Sequence, residues 1–261
     1  VIAWLADSGS WGPLTRAIAV LRHTPGFVVG YRAPRDWEPC DREGIGHVSF
    51  DCCGVPAARQ LAELPADLLV ADPSWWEVAV ADGRPCVRLG WASSGAPDWD
   101  LDAGPIHPWA DGLPLTRGAV RELWGVGPET PVVATLSNRR YRNIIENRVA
   151  DSVPEGARLV SLSGWGAAER MVGADLVVAT AGWASSVECR WTGVPHCLLD
   201  VGGPDGWPRV THTVDEARRA VAAVSPWPSP SDWAGTPDRR PLTEFLALAE
   251  RSALRHVQWS R

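Results

Sequence analysis

The stretch ADLVVATAGWASSVECRWTGVP, Ala174 to Pro195, decides the fold. A strand-length apolar run, Leu176 to Thr180, passes into a Gly/Ser turn and then into a helical segment, Ser185 to Trp191. Gly193, Val194 and Pro195 stop it, because glycine accommodates a helix end and proline cannot continue one. A strand, a turn at its carboxyl end and a helix form the unit from which parallel sheets covered by helices are built.

Working outward, the second half repeats this unit. Strands are expected at 132–136, 158–162 and 196–200, and helices at 141–150, 167–172, 214–224 and 242–255. The first half does the same, with strands expected at 1–6, 27–31, 48–52, 68–71 and 86–89 and helices at 13–21 and 56–64. Pro13 suits a helix start, where no backbone hydrogen bond is donated. Residues 92–114 carry four prolines with little periodicity and read as loop, and a short helix is expected at 117–124. The turn-rich GVGPET, Gly125 to Thr130, places the domain boundary near Pro128. The fold class is therefore α/β with two Rossmann-like parallel-sheet domains, 1–127 and 128–261, the last helix packing back across the junction.

Composition narrows the partners. A formal net charge of -6 argues against nucleic acid or an anionic membrane surface, since both favour clustered positive charge. No apolar run approaches the roughly 20 residues a membrane span needs, and no secretory signal opens the sequence, so a cytoplasmic protein is expected. The six cysteines show neither CxxC nor Cys/His ligand spacing, so no metal site and no disulfide scaffold is expected. Cys52 and Cys53 follow a strand-like run and read as packing residues.

The turn and helix of the quoted stretch suit a phosphorylated nucleotide. Gly182 permits close backbone approach, and Ser185 and Ser186 offer capping hydroxyls beside the N–H groups of a helix start, which favour an anion. Glu188 follows within one turn, where a carboxylate accepts two hydrogen bonds from a ribose diol.

These residues resemble the nucleotide-sugar signature of the GT-B glycosyltransferases, especially the branch of the peptidoglycan lipid-intermediate GlcNAc transferase and the related nucleotide-sugar hydrolases. In that family a Gly-rich turn, a Ser/Thr, a Glu and a Gly-Val/Leu-Pro follow one another, as Gly182, Ser185, Glu188 and Gly193-Val194-Pro195 do here. The resemblance implies diphosphate binding at Ser185 and Ser186 and ribose binding at Glu188. The segment GWGAAERMVGAD, Gly164 to Asp175, looks like the family's link from the base-binding loop, which sets Trp165 beside the nucleobase. Where relatives carry a Gly-rich phosphate loop, this chain has Ser137, Asn138, Arg139 and Arg140. The two arginines either clamp a diphosphate or open a solvated helix. The family's Gly-His pair after the first strand is replaced by Gly12-Pro13, with Arg16 three residues on.

Two such domains facing a cleft imply transfer of a sugar from a nucleotide-diphosphate donor, a UDP-sugar first among them, to an unidentified acceptor on the N-terminal side. The chemistry needs a base, and Asp7, at the carboxyl end of the first strand, is the first candidate, with Asp72 and Asp98 behind it. No metal is required if helix N-termini and arginines offset the leaving charge. His23, His47 and His107 stand apart in sequence and read as structural or surface residues. A nucleotide-sugar hydrolase or epimerase, and a non-catalytic nucleotide-sugar-binding protein or partner subunit, are the alternatives. The donor base, the sugar, the acceptor and the oligomeric state stay open.

Overall fold

The computed structural model describes residues 1–6, 11–31, 34–51, 55–90, 101–102, 115–137, 142–200, 211–226 and 247. The chain divides into two units, Val1–Ala110 with Asp238–Arg261, and Asp111–Pro237.

In the first unit the described elements are β1 (Ile2–Leu5), α1 (Trp11–Leu21), β2 (Gly26–Gly30), α2 (Glu38–Arg42), β3 (Gly46–Ser49), α3 (Val55–Ala62), β4 (Leu68–Ala71), α4 (Trp76–Asp82), β5 (Cys86–Gly90) and β6 (Leu101–Asp102). The strands form one parallel sheet in the order β3-β2-β1-β4-β5-β6. The direction of winding reverses between β1 and β4, the topological switch point of a doubly wound sheet. Ala3, Leu5, Val29, Leu69 and Ala71 present one face of the sheet to Ala57 and Leu61 of α3 and to Val78 of α4. Burying an aliphatic side chain of this size contributes about 1.5–3 kcal/mol.

Three elements of this unit lie beyond the expected set. The helices α2 and α4 span five and seven residues, too few to show a helical period. The pair Leu101–Asp102 sits in the stretch expected to be loop. It is a strand because the edge of β5 supplies its ladder, with Leu89 opposite Leu101 and Gly90 opposite Asp102.

The second unit holds α5 (Arg117–Leu123), β7 (Val132–Leu136), α6 (Arg142–Val149), β8 (Arg158–Leu162), α7 (Ala167–Arg170), β9 (Leu176–Thr180), α8 (Trp183–Thr192), β10 (His196–Leu199) and α9 (Val214–Ala222). Its parallel sheet runs β10-β9-β7-β8. The two-residue period of a strand sorts the core by face. Val132, Ala134, Leu136, Val177 and Ala179 pack with Met171, Cys189 and Val194, whereas Val133, Val178 and Cys197 pack with Ile145, Val149, Ala217 and Val221. Burial pushes the Cys189 thiol up, with smaller contributions from Glu188 and Cys197, so it packs as an inert apolar group. Cys40, Cys86, Cys189 and Cys197 are buried thiols outside any disulfide, and Cys52 and Cys53 lie outside the described residues.

Arg121 ties the turn around Pro128 to α5. Its guanidinium donates to the carbonyls of Gly127 (2.8 Å), Pro128 (3.3 Å) and Thr130, so the turn-rich stretch in which the boundary was expected is stapled to α5. The helix is bound in turn to Asp175, which precedes β9. The helix expected at 242–255 lies outside the described residues apart from 247. Among the described residues no helix is long and apolar enough to cross a membrane.

Candidate functional site

All four strands of the second sheet are parallel, so the loops that leave their carboxyl ends share one edge. Ser137 follows β7, Ser163 to Gly166 follow β8, and Ala181 and Gly182 follow β9. The candidates Trp165, Gly182, Ser185, Ser186 and Glu188 are thereby brought to a single edge by the register that sets Leu136 opposite both Leu162 and Ala179. The winding reverses at β7, between β8 and β9, where open α/β sheets bind their ligands. Arg139 and Arg140 lie outside the described residues.

Helix α8 begins at Trp183, two residues earlier than expected. Its first intrahelical bond is donated by the Ser186 N–H to the Gly182 carbonyl at 3.0 Å. Ser185 and Ser186 are therefore first-turn residues and not the cap. The Ser186 hydroxyl is turned back onto the Gly182 carbonyl at 2.7 Å, and the residue is buried. Ser185 is half-buried. The backbone N–H groups of residues 183–185 have no acceptor inside the helix, which is the condition for an anion site. Among the described residues a Cβ added at Gly182 would meet nothing within 4 Å. Glu188 lies three residues after Ser185 on the same helical face and is half-buried. The helix ends where the Thr192 hydroxyl donates to the carbonyls of Glu188 and Cys189, both at 3.0 Å, and Gly193 takes a φ of 65°.

Trp165 stands between Gly164 (φ 87°) and Gly166 (φ 82°), a turn that few residues other than glycine can flank. Arg170, one helical turn on, donates to the carbonyls of Gly166 at 3.3 Å and Ser163 at 3.1 Å. Nothing in the composition of this segment singled out Arg170. Its role arises from the folding back of α7.

In the first unit Asp7 and Asp98 lie outside the described residues, as does His107. Asp72 leaves β4 at the carboxyl edge, but its side chain is closed to solvent and paired with Arg16 of α1 at 2.7 Å. Its carboxylate is thus engaged by Arg16 across the unit. Beside it the Trp75 indole donates to the Ala6 carbonyl at 3.0 Å and stacks on Tyr31 with ring centroids 4.4 Å apart. His47 stacks on Trp37 and meets Asp41 at 2.8 Å, away from this edge on strand β3. Among the described residues no group of three or more His, Cys, Asp or Glu is placed to hold a metal ion.

No family model matches the sequence, and no curated protein does. Solved structures do match. The glycosyltransferase VinC in complex with dTDP aligns over 97% of this chain and 99% of that chain, with 14% identity and a TM-score of 0.57. The UDP-N-acetylglucosamine 2-epimerase from Rickettsia bellii aligns over 99% and 97%, with 11% identity and a TM-score of 0.58. The spinosyn rhamnosyltransferase SpnG aligns over 76% and 80%, with 12% identity and a TM-score of 0.53. The fold is that of the GT-B glycosyltransferases. At these identities the likeness is one of backbone. It reaches the GT-B architecture and not the peptidoglycan GlcNAc transferase branch. Within the GT-B fold, the edge assembled around α8 belongs to the second of the two Rossmann-like units.

Proposed function

We propose that this chain is a glycosyltransferase that moves a sugar from a nucleotide-diphosphate donor, held at the carboxyl edge of the second sheet, to an acceptor carried by the first unit. The observation that supports the reading is the meeting, at one sheet edge, of an open helix start at Gly182, the hydroxyl of Ser185 and the carboxylate of Glu188 on the next turn. The N–H groups at the start of α8 and Ser185 receive the diphosphate, and Glu188 accepts the ribose hydroxyls. Trp165 borders the base, with Arg139 and Arg140 adding charge to the leaving diphosphate. Asp7 serves as base, with Asp72 and Asp98 as the alternatives. The leaving charge is met by backbone dipoles and arginines, so the reaction proceeds without a metal.

The neighbour VinC is solved in complex with dTDP, and a further similar structure, HepE from Anabaena, in complex with UDP-glucose, aligned over 84% of this chain and 88% of that one with 13% identity and a TM-score of 0.53. A UDP-sugar heads the list of donors to test. Calorimetry of UDP, dTDP, GDP and their sugar conjugates against the wild type and Glu188→Ala tests the reading. One diphosphate should bind, and the variant should lose about tenfold or more, the scale of a hydrogen bond to a charged group. Absence of binding by every nucleotide would remove the proposal.

The epimerase among the neighbours favours a second reading, in which the same donor site serves epimerisation or hydrolysis of the nucleotide sugar. Product analysis with donor alone separates the two, because a transferase turns over slowly until an acceptor is supplied.

A further inference from the structure

The geometry points to Arg170 as a positioning residue that sets which nucleobase the donor site accepts, an inference that rests on the donor-site reading above. Helix α7 has four residues, and no side chain caps its start. The turn before it is held from the other end. The Arg170 Nε donates to the Gly166 carbonyl at 3.3 Å and one terminal nitrogen donates to the Ser163 carbonyl at 3.1 Å. A planar guanidinium that bridges two carbonyls three residues apart fixes their separation and orientation together. Between them lie Gly164 and Trp165, and the Gly164 carbonyl accepts the Ala167 N–H at 3.2 Å. The left-handed φ values of Gly164 and Gly166 make this short turn soft without such a brace.

A base is a flat heterocycle whose edge is distinguished by hydrogen bonds, and those weaken steeply as their angles open. A turn held at a fixed attitude discriminates between edges, whereas one that wavers accepts several. The diphosphate, held at α8 on a different loop, is indifferent to the change. Arg170 therefore acts on selectivity and not on the phosphate share of affinity.

The test is calorimetry of UDP, dTDP, GDP and inorganic pyrophosphate with the wild type, Arg170→Lys, Arg170→Met and Gly166→Ala. Alanine at 166 strains the left-handed φ and brings a Cβ to 3.7 Å from the Glu169 carboxylate, disturbing the same turn independently of Arg170. The ratio of affinities between the preferred diphosphate and the next should fall about tenfold in Arg170→Met and Gly166→Ala, the scale of one misaligned hydrogen bond. It should fall less in Arg170→Lys, whose ammonium reaches one carbonyl, and pyrophosphate affinity should stay within about twofold of wild type. Unchanged ratios in the variants that fold, with the wild type selective, would overturn this inference alone. A wild type that binds no nucleotide would overturn it together with the donor site. If Arg170→Met fails to fold, Arg170→Lys and Gly166→Ala still decide the matter.

Discussion

Arg16 and Asp72, 56 residues apart, meet at 2.7 Å with 3% and 0% of their side chains exposed, joining helix α1 to the carboxyl end of β4. Breaking a buried pair leaves an uncompensated charge, which costs about 3–5 kcal/mol. Asp72→Asn should therefore lower the urea midpoint of unfolding steeply. Replacing both partners, as Arg16→Met with Asp72→Leu, should restore most of the loss. A stable Asp72→Asn protein that had lost only turnover would instead support Asp72 as the base.

A second buried carboxylate organises the other unit. Asp175 pairs with Arg117 and with Arg121 (3.3 Å), and it accepts the Val132 N–H at 2.6 Å. Asp175→Ala should destabilise the second unit by about 3–5 kcal/mol. Amide hydrogen exchange at Val132 gives the local readout, and its protection should fall more than that of Ile145 on the opposite face of the sheet.

At Gly182 stability and binding separate. Among the described residues a Cβ there meets nothing within 4 Å, so Gly182→Ala should shift stability by under about 1 kcal/mol. On the proposed donor site the same methyl would intrude on the diphosphate, and binding should weaken at least about tenfold by calorimetry. Equal loss of stability and binding would show that Gly182 serves the fold alone.

The start of α9 makes stability depend on pH. The Glu216 carboxyl is held below its ordinary value of 4.5, first by the Thr213 backbone N–H (2.7 Å) and next by the Thr213 hydroxyl (2.9 Å). Because the folded value is depressed, the stabilisation is present above pH 4.5 and is lost as pH falls through the lower folded value. The gap in unfolding midpoint between wild type and Glu216→Gln should be constant near neutrality and close in acid. Thr213→Ala should cost about 1 kcal/mol at neutral pH.

Much of this protein was legible in the order of its residues. The strands at 132–136, 158–162 and 176–180 occupy the expected positions, and the first and last of them are buried throughout, as a mainly apolar run bounded by turn residues suits. Gly193, Val194 and Pro195 end α8 for local reasons of backbone conformation. The candidate residues after those strands share an edge because parallel strands end together. The start of α8 was less legible. It depends on where the Gly182 carbonyl first meets a donor, and the serines fall inside the helix once that bond forms.

Long-range pairing belonged to the fold. Arg16 with Asp72, and Arg121 with Asp175, are joined by a strand order that no local pattern encodes. Arg121 draws the glycine-proline turn at 127–130 onto α5 in the same way. Periodicity and turn chemistry act over a few residues and so can be read along the chain. Charge pairing and enclosure depend on neighbours in space, and these exist only once the sheets have assembled.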